Sequence, residues 1–184
     1  TKGTVQRAYG EVGLPGGDLK FYKLNYQHQK FFPLTKDITL MLNGEYGFGD
    51  GYGGEPLPFF RHFYAGGIGS VRGFKSGSLG PHDDPPNHKD ALGGNKRLVA
   101  NAEFLMPIPG IGLDKSFRFG GFADAGYVWA TSQKMRLSDL RYSIGISVAW
   151  SSPFGPLKFS IAQPLNKKSG DQVERFQFQM GTSF

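Results

Sequence analysis

Among the residues able to do chemistry in this sequence, Arg72 has the most informative setting. It lies within Phe63-Tyr64-Ala65-Gly66-Gly67-Ile68-Gly69-Ser70-Val71-Arg72-Gly73-Phe74, where Gly69 and Gly73 permit a tight bend that presents it. A guanidinium can bridge two carboxylates through several donors held in a rigid fork. Two carboxylates are available: Glu103 and Asp124 lie on the polar faces of neighbouring strand-like segments. A buried or half-buried carboxylate wants a partner. The expectation is that Arg72 pins its loop to Asp124 and Glu103; the alternative is a solvated loop arginine. Other constellations carry less. His82, Asp83, Asp84, His88 and Asp90 include metal-ligand types, but Pro85 and Pro86 split them within a polar loop, and no metal is expected. Gly66-Gly67-Ile68-Gly69 is not a phosphate loop, because no Gly-Lys-Ser/Thr and no helix start follow. No Ser/His/Asp set shares a face, so neither an enzyme nor a cofactor is indicated.

The elements that position these residues alternate with period two rather than 3.6. Tyr22, Leu24 and Tyr26 oppose Lys23, Asn25 and Gln27; Ile38, Leu40, Leu42, Tyr46 and Phe48 oppose Thr39, Asn43 and Glu45. Leu98, Ala100, Ala102, Phe104 and Met106 oppose Arg97, Asn101 and Glu103. Phe117, Phe119, Ala123, Ala125, Tyr127 and Trp129 oppose Arg118 and Asp124. The pattern recurs over 141–150, 157–163 and 175–184, the last with Phe176, Phe178, Met180 and Phe184 opposite Gln177, Gln179 and Ser183. The segment 4–12 is strand-like with unclear facing. Eight antiparallel strands and essentially no helix are expected, with one loop over about 50–95. Loops longer than about 12–15 residues are usually functional or disordered. This one carries Phe59, Phe60, Phe63, Tyr64 and Phe74, so it is expected to be ordered and packed.

The chain has 184 residues, 28 glycines, 15% aromatic residues and no cysteine. Its mean hydropathy is negative. Nothing approaches the ~18 apolar residues of a membrane helix. A soluble sandwich or a transmembrane barrel fits such averages, since barrel strands alternate apolar and polar. Short connections alternate with longer polar ones, and aromatics gather near strand ends, as in outer-membrane barrels with their girdles. A sandwich rarely sustains such an aromatic face to its terminus. The net charge of +6 comes without a tight Lys/Arg cluster, so nucleic-acid binding is not indicated. The sequence begins mid-pattern without a charged leader or Met, which reads as a piece of a longer protein.

The Val71-Arg72-Gly73-Phe74 core and its flanks resemble the sixth extracellular loop of the BamA family of outer-membrane assembly factors. Asn101-Ala102-Glu103-Phe104 and Phe122-Ala123-Asp124-Ala125-Gly126 resemble the two strands that follow it. Ser152-Pro153-Phe154-Gly155-Pro156-Leu157, Ala162-Gln163-Pro164 and Phe176-Gln177-Phe178 resemble the family's C-terminal end. The loop motif alone is shared with two-partner secretion translocators, and the C-terminal stretch is more specific. The resemblance implies that residues 1–184 are the C-terminal portion of a transmembrane β-barrel, without its first strands or its periplasmic POTRA domains. It also implies a bacterial outer-membrane location, and insertion of other barrel proteins through a lateral gate formed in part by Phe176, Phe178, Met180, Gly181 and Phe184. Partners would be unfolded outer-membrane proteins, assembly-complex lipoproteins reached through the periplasmic domains, and membrane lipids. Gly181 could kink the last strand or be an ordinary barrel glycine, and Phe184 could be a targeting signal for the chain's own assembly. A secretion pore and a passive porin are the competing readings.

Overall fold

A computed structural model describes residues 2–14, 16, 19–83, 90–108, 116–153 and 155–181. The chain is a meander of long antiparallel strands: β1 (Gly3–Val12), β2 (Phe21–Pro33), β3 (Thr39–Gly51), β5 (Lys96–Pro107), β6 (Phe117–Trp129), β7 (Arg141–Ser152), β8 (Gly155–Pro164) and β10 (Phe176–Met180). They form one eight-stranded sheet in the order β1-β2-β3-β5-β6-β7-β8-β10. Two short strands, β4 (Gly73–Phe74) and β9 (Val173–Glu174), pair with each other outside it. The eight long strands match the alternating segments. The two-residue ladder was not foreseen, because two residues carry no periodicity.

The alternation sorts the side chains into two unlike faces. Tyr22, Leu24, Tyr26, Leu42, Tyr46, Phe104, Tyr142, Ile144, Ile146 and Ile161 are exposed on one of them. Sandwiches bury such a face against a second sheet. Here it is left bare, as a contiguous apolar surface of the kind that meets lipid or a partner. The other face is polar and curls around a cavity of about 220 Å³, bordered by Arg7 of β1 and Gln179 of β10 from the two ends of the strand order.

Register on the polar face is marked by side chains as well as backbone. Asn43 stands opposite Asn101, Asn101 opposite Asp124, and Asp124 opposite Ser143. Gln27 donates to Asn43 Oδ1 at 2.9 Å, Asn43 to Asn101 Oδ1 at 3.0 Å, and Asn101 to Asp124 Oδ1 at 2.8 Å. This amide relay crosses four strands and ends on a carboxylate.

The long loop after β3 folds back over the polar face and supplies most of the apolar core. Phe63, Ala65, Val71, Phe74 and Leu79 pack with Val99 of β5 and Val128 of β6. Gly47 makes room for this: a Cβ there would lie 2.6 Å from the Phe63 ring. Only part of the loop's aromatic content packs, however. Phe59, Phe60 and Tyr64 remain exposed, so packing rests on Phe63 and Phe74. Of the expected last strand over 175–184, β10 covers Phe176–Met180. Gly181 takes φ +80° and donates its N–H to Pro156 O at 3.0 Å, one step past the Met180–Leu157 pair. Phe184 lies outside the described residues.

Candidate functional site

The site is built where the loop meets β5 and β6. Gly67 accepts none of the strain of a side chain as it closes the loop tip, donating its N–H to Val71 O at 3.1 Å and to Phe74 O at 2.9 Å. That turn directs Arg72 downward onto the sheet, where only 2% of its surface is exposed. Its Nε donates to Asp124 Oδ2 at 2.7 Å and its Nη2 to Asp124 Oδ1 at 2.8 Å, a two-pronged arrangement. Its backbone N–H donates to the same carboxylate at 3.0 Å. Nη1 faces Glu103 Oε2 at 3.1 Å as an ion pair.

The rest of the site completes this arrangement. The guanidinium lies 3.4 Å from the centroid of the Phe122 ring, which forms an aromatic floor. Glu103 also accepts from Ser147 Oγ at 2.5 Å and from Lys158 Nζ at 3.2 Å. Arg72 and Lys158 thus offset Glu103 and Asp124, and the buried cluster carries no net charge. That neutrality decides its stability, since an uncompensated buried charge costs several kcal/mol. Burial opposes the charge on Arg72, but the hydrogen bonds and charge of Asp124, with Glu103 behind, outweigh it. The guanidinium holds its proton more tightly than an ordinary arginine does.

The flanking motif residues are equally fixed. Val71 and Phe74 are fully buried in the loop core. Gly73 takes φ +89°, and a Cβ on it would stand 3.0 Å from Ala162 Cβ, so both conformation and space require glycine here. The strand-end residues sit elsewhere. Phe176, Phe178 and Met180 turn outward and are 59%, 50% and 63% exposed. Gln177, between them, turns inward to the loop: its Nε2 donates to Phe74 O at 2.7 Å, and Gly73 N–H donates to its Oε1 at 3.4 Å.

Sequence reasoning did not single out Phe122, Lys158, Ser147 or Gln177. Lys158, Ser147 and Gln177 all lie on polar parities, so alternation placed them on the correct face without choosing them. Phe122 gave no such signal, because an aromatic on a polar face looks like a fault in the pattern. Of the loop's candidate metal ligands, Asp84 and His88 lie outside the described residues. Among the described residues no three His, Asp or Glu side chains converge to hold a metal ion. The site is a neutral, buried clamp between a loop and a sheet.

The profile of the Omp85 superfamily domain matches residues 1–184. The chain belongs to the Omp85 superfamily. Over its whole length this Omp85 chain is 43% identical to the outer membrane protein assembly factor BamA of Neisseria meningitidis serogroup B, and 33% identical to BamA of Nitratidesulfovibrio vulgaris. It is 27% identical, over 94% of its length, to the sorting and assembly machinery component 50 homolog of Mus musculus. The crystal structure of BamA from Haemophilus ducreyi lacking POTRA domains 1–3 superimposes with a TM-score of 0.88 at 32% identity. That match covers 96% of this Omp85 chain and 38% of the other. The chain spans only 26% and 23% of the two bacterial relatives' lengths.

Proposed function

We propose that this chain is the C-terminal portion of the barrel of a bacterial outer-membrane protein assembly factor, and that the protein folds and inserts other β-barrel proteins into that membrane. The observation that carries this reading is the Arg72 clamp. A porin's constriction loop needs no neutral, fully buried bridge to two strands, whereas a machine that must keep a loop docked while its wall opens does. The bare apolar face fits the lipid side of such a barrel, and the polar face fits its lumen.

A physical route to insertion is available without ATP. Unpaired strand N–H and C=O groups are costly in lipid and template pairing. Among the described residues the β10–β8 register runs over Phe176–Met180, against the Ser143–Ser152 register that joins β7 to β8. When the closing pair opens, this edge can accept or release a substrate strand by β-augmentation. Phe176, Phe178 and Met180 face lipid beside that edge on a short strand, which thins or disorders the bilayer locally by mismatch. In this role the partners are unfolded outer-membrane proteins and lipids, with lipoproteins engaged through periplasmic domains outside this chain.

The test replaces the wild-type full-length protein in cells with Arg72→Glu and measures folded amounts of several unrelated porins. A joint fall, with the protein itself still folded, supports a general insertase. Loss of one secreted protein with porins unchanged supports the secretion pore. Normal porins and normal secretion overturn both.

A further inference from the structure

The loop is held at two places, and only one of them is the arginine clamp. Immediately after Arg72 the chain turns from β6 toward the last strand. Gly73 and Phe74 form β4, which pairs with Glu174 and Val173 of β9. The ladder continues at Lys75, whose N–H donates to Gln172 O at 2.9 Å and whose Nζ reaches Gln172 Oε1 at 3.2 Å. A side chain holds the same two loop residues. The amide of Gln177, itself 5% exposed, offers a donor to Phe74 O and an acceptor to Gly73 N–H, as a strand backbone would. Arg175 O accepts from Ala162 N–H at 2.9 Å, so the same short segment is bonded to the loop on one side and to β8 on the other.

We infer that Gln177 is a positioning residue that couples the docked loop to the last strand. Arg72 fixes residues 71–74 against β5 and β6, and Gln177 passes that position on to β10. The geometry supports transmission because the two contacts are made by consecutive loop residues, leaving no slack between clamp and clasp. Gly73 is pressed against Ala162 and Pro164 of β8, so this piece of loop cannot shift along the sheet to compensate. Among the described residues the β10–β8 register runs over Phe176–Met180, with one further bond at each end, from Ala162 N–H to Arg175 O and from Gly181 N–H to Pro156 O, and the clasp adds to these from the loop side. If the reading of β10 as a gate strand holds, opening the gate requires breaking the clasp, and loop docking sets how readily that happens.

The test is hydrogen exchange on the full-length protein in lipid nanodiscs, comparing wild type with Gln177→Leu. Losing the amide strands the buried N–H of Gly73 and takes one of two donors from Phe74 O, which keeps the Gly67 N–H. Exchange at 73–75 and 173–180 should therefore accelerate roughly 10- to 100-fold. Amides of β5 and β6, and the melting temperature, should stay at wild-type values. Gln177→Met, of similar length and also lacking the amide, is the second variant should the leucine protein not fold. Unchanged exchange at 173–180, or uniform acceleration across the sheet, overturns the inference. Porin assembly measured on the same variants separates the two claims. Local acceleration with altered assembly supports both, whereas local acceleration with normal assembly keeps the clasp and removes the gate role of β10.

Discussion

Replacing Arg72 by methionine removes the cation and retains most of the side chain's length. Asp124 then loses two of the three bonds it receives from this residue, because the backbone N–H bond survives. It keeps Asn101, a neutral donor, and its side chain has no exposure through which water could replace the guanidinium. Glu103 fares better, since Lys158 and Ser147 remain. The penalty therefore falls mainly on one buried, uncompensated carboxylate. Breaking a buried pair from one side costs about 3–5 kcal/mol. At 1.4 kcal/mol per factor of ten, the docked-to-undocked ratio of the loop should fall by roughly 10²- to 10³-fold or more. The assay is hydrogen exchange or limited proteolysis across residues 63–79 in the full-length protein. Asp124→Leu alone should cost a similar amount, for it leaves Arg72 with half its partners. The double variant leaves Glu103 paired with Lys158 and should cost about 3 kcal/mol less than the sum of the singles. Additive costs would refute the argument that charge compensation holds this loop.

Further outcomes follow from the same geometry. Arg72→Glu should undock the loop, and adding Asp124→Arg should partly restore protection at 63–79. Phe122→Leu keeps an apolar side chain beneath the guanidinium but removes the ring; by thermal melting it should cost about 1–2 kcal/mol. Gly73→Ala meets both a positive φ and Ala162 and should cost about 1–3 kcal/mol, whereas Gly69→Ala, with no atom within 4 Å of its Cβ, should be nearly silent by the same measurement. The chain should give a β-rich circular dichroism spectrum in detergent and aggregate without it; a soluble monomer in plain buffer would favour a sandwich.

The fold was legible because each long strand has one face that must be apolar and one that must not. Period-two alternation reports that constraint directly, and it gave the facing of Glu103, Asp124 and Asn101 as well. It failed where other physics governs. β4 and β9 are too short to show a period. Phe122 breaks the pattern because its ring serves a cation rather than lipid, and Gln177 looked like any lumenal amide because its partners are backbone atoms of a loop about a hundred residues earlier in the chain.

The amide relay from Gln27 to Asp124 bears on how the strands find their alignment. Alternating polarity detects a slip of one residue, which turns every side chain over. It is blind to a slip of two, which restores the same facing. A meander held by alternation alone could therefore settle into several frames of similar energy. Gln27, Asn43, Asn101 and Asp124 meet in only one of those frames. Moving any of these strands by two residues would strand half-buried amides and a buried carboxylate. The relay thus acts as a reading frame for the sheet, and the same frame brings Asp124 to the height at which Arg72 descends.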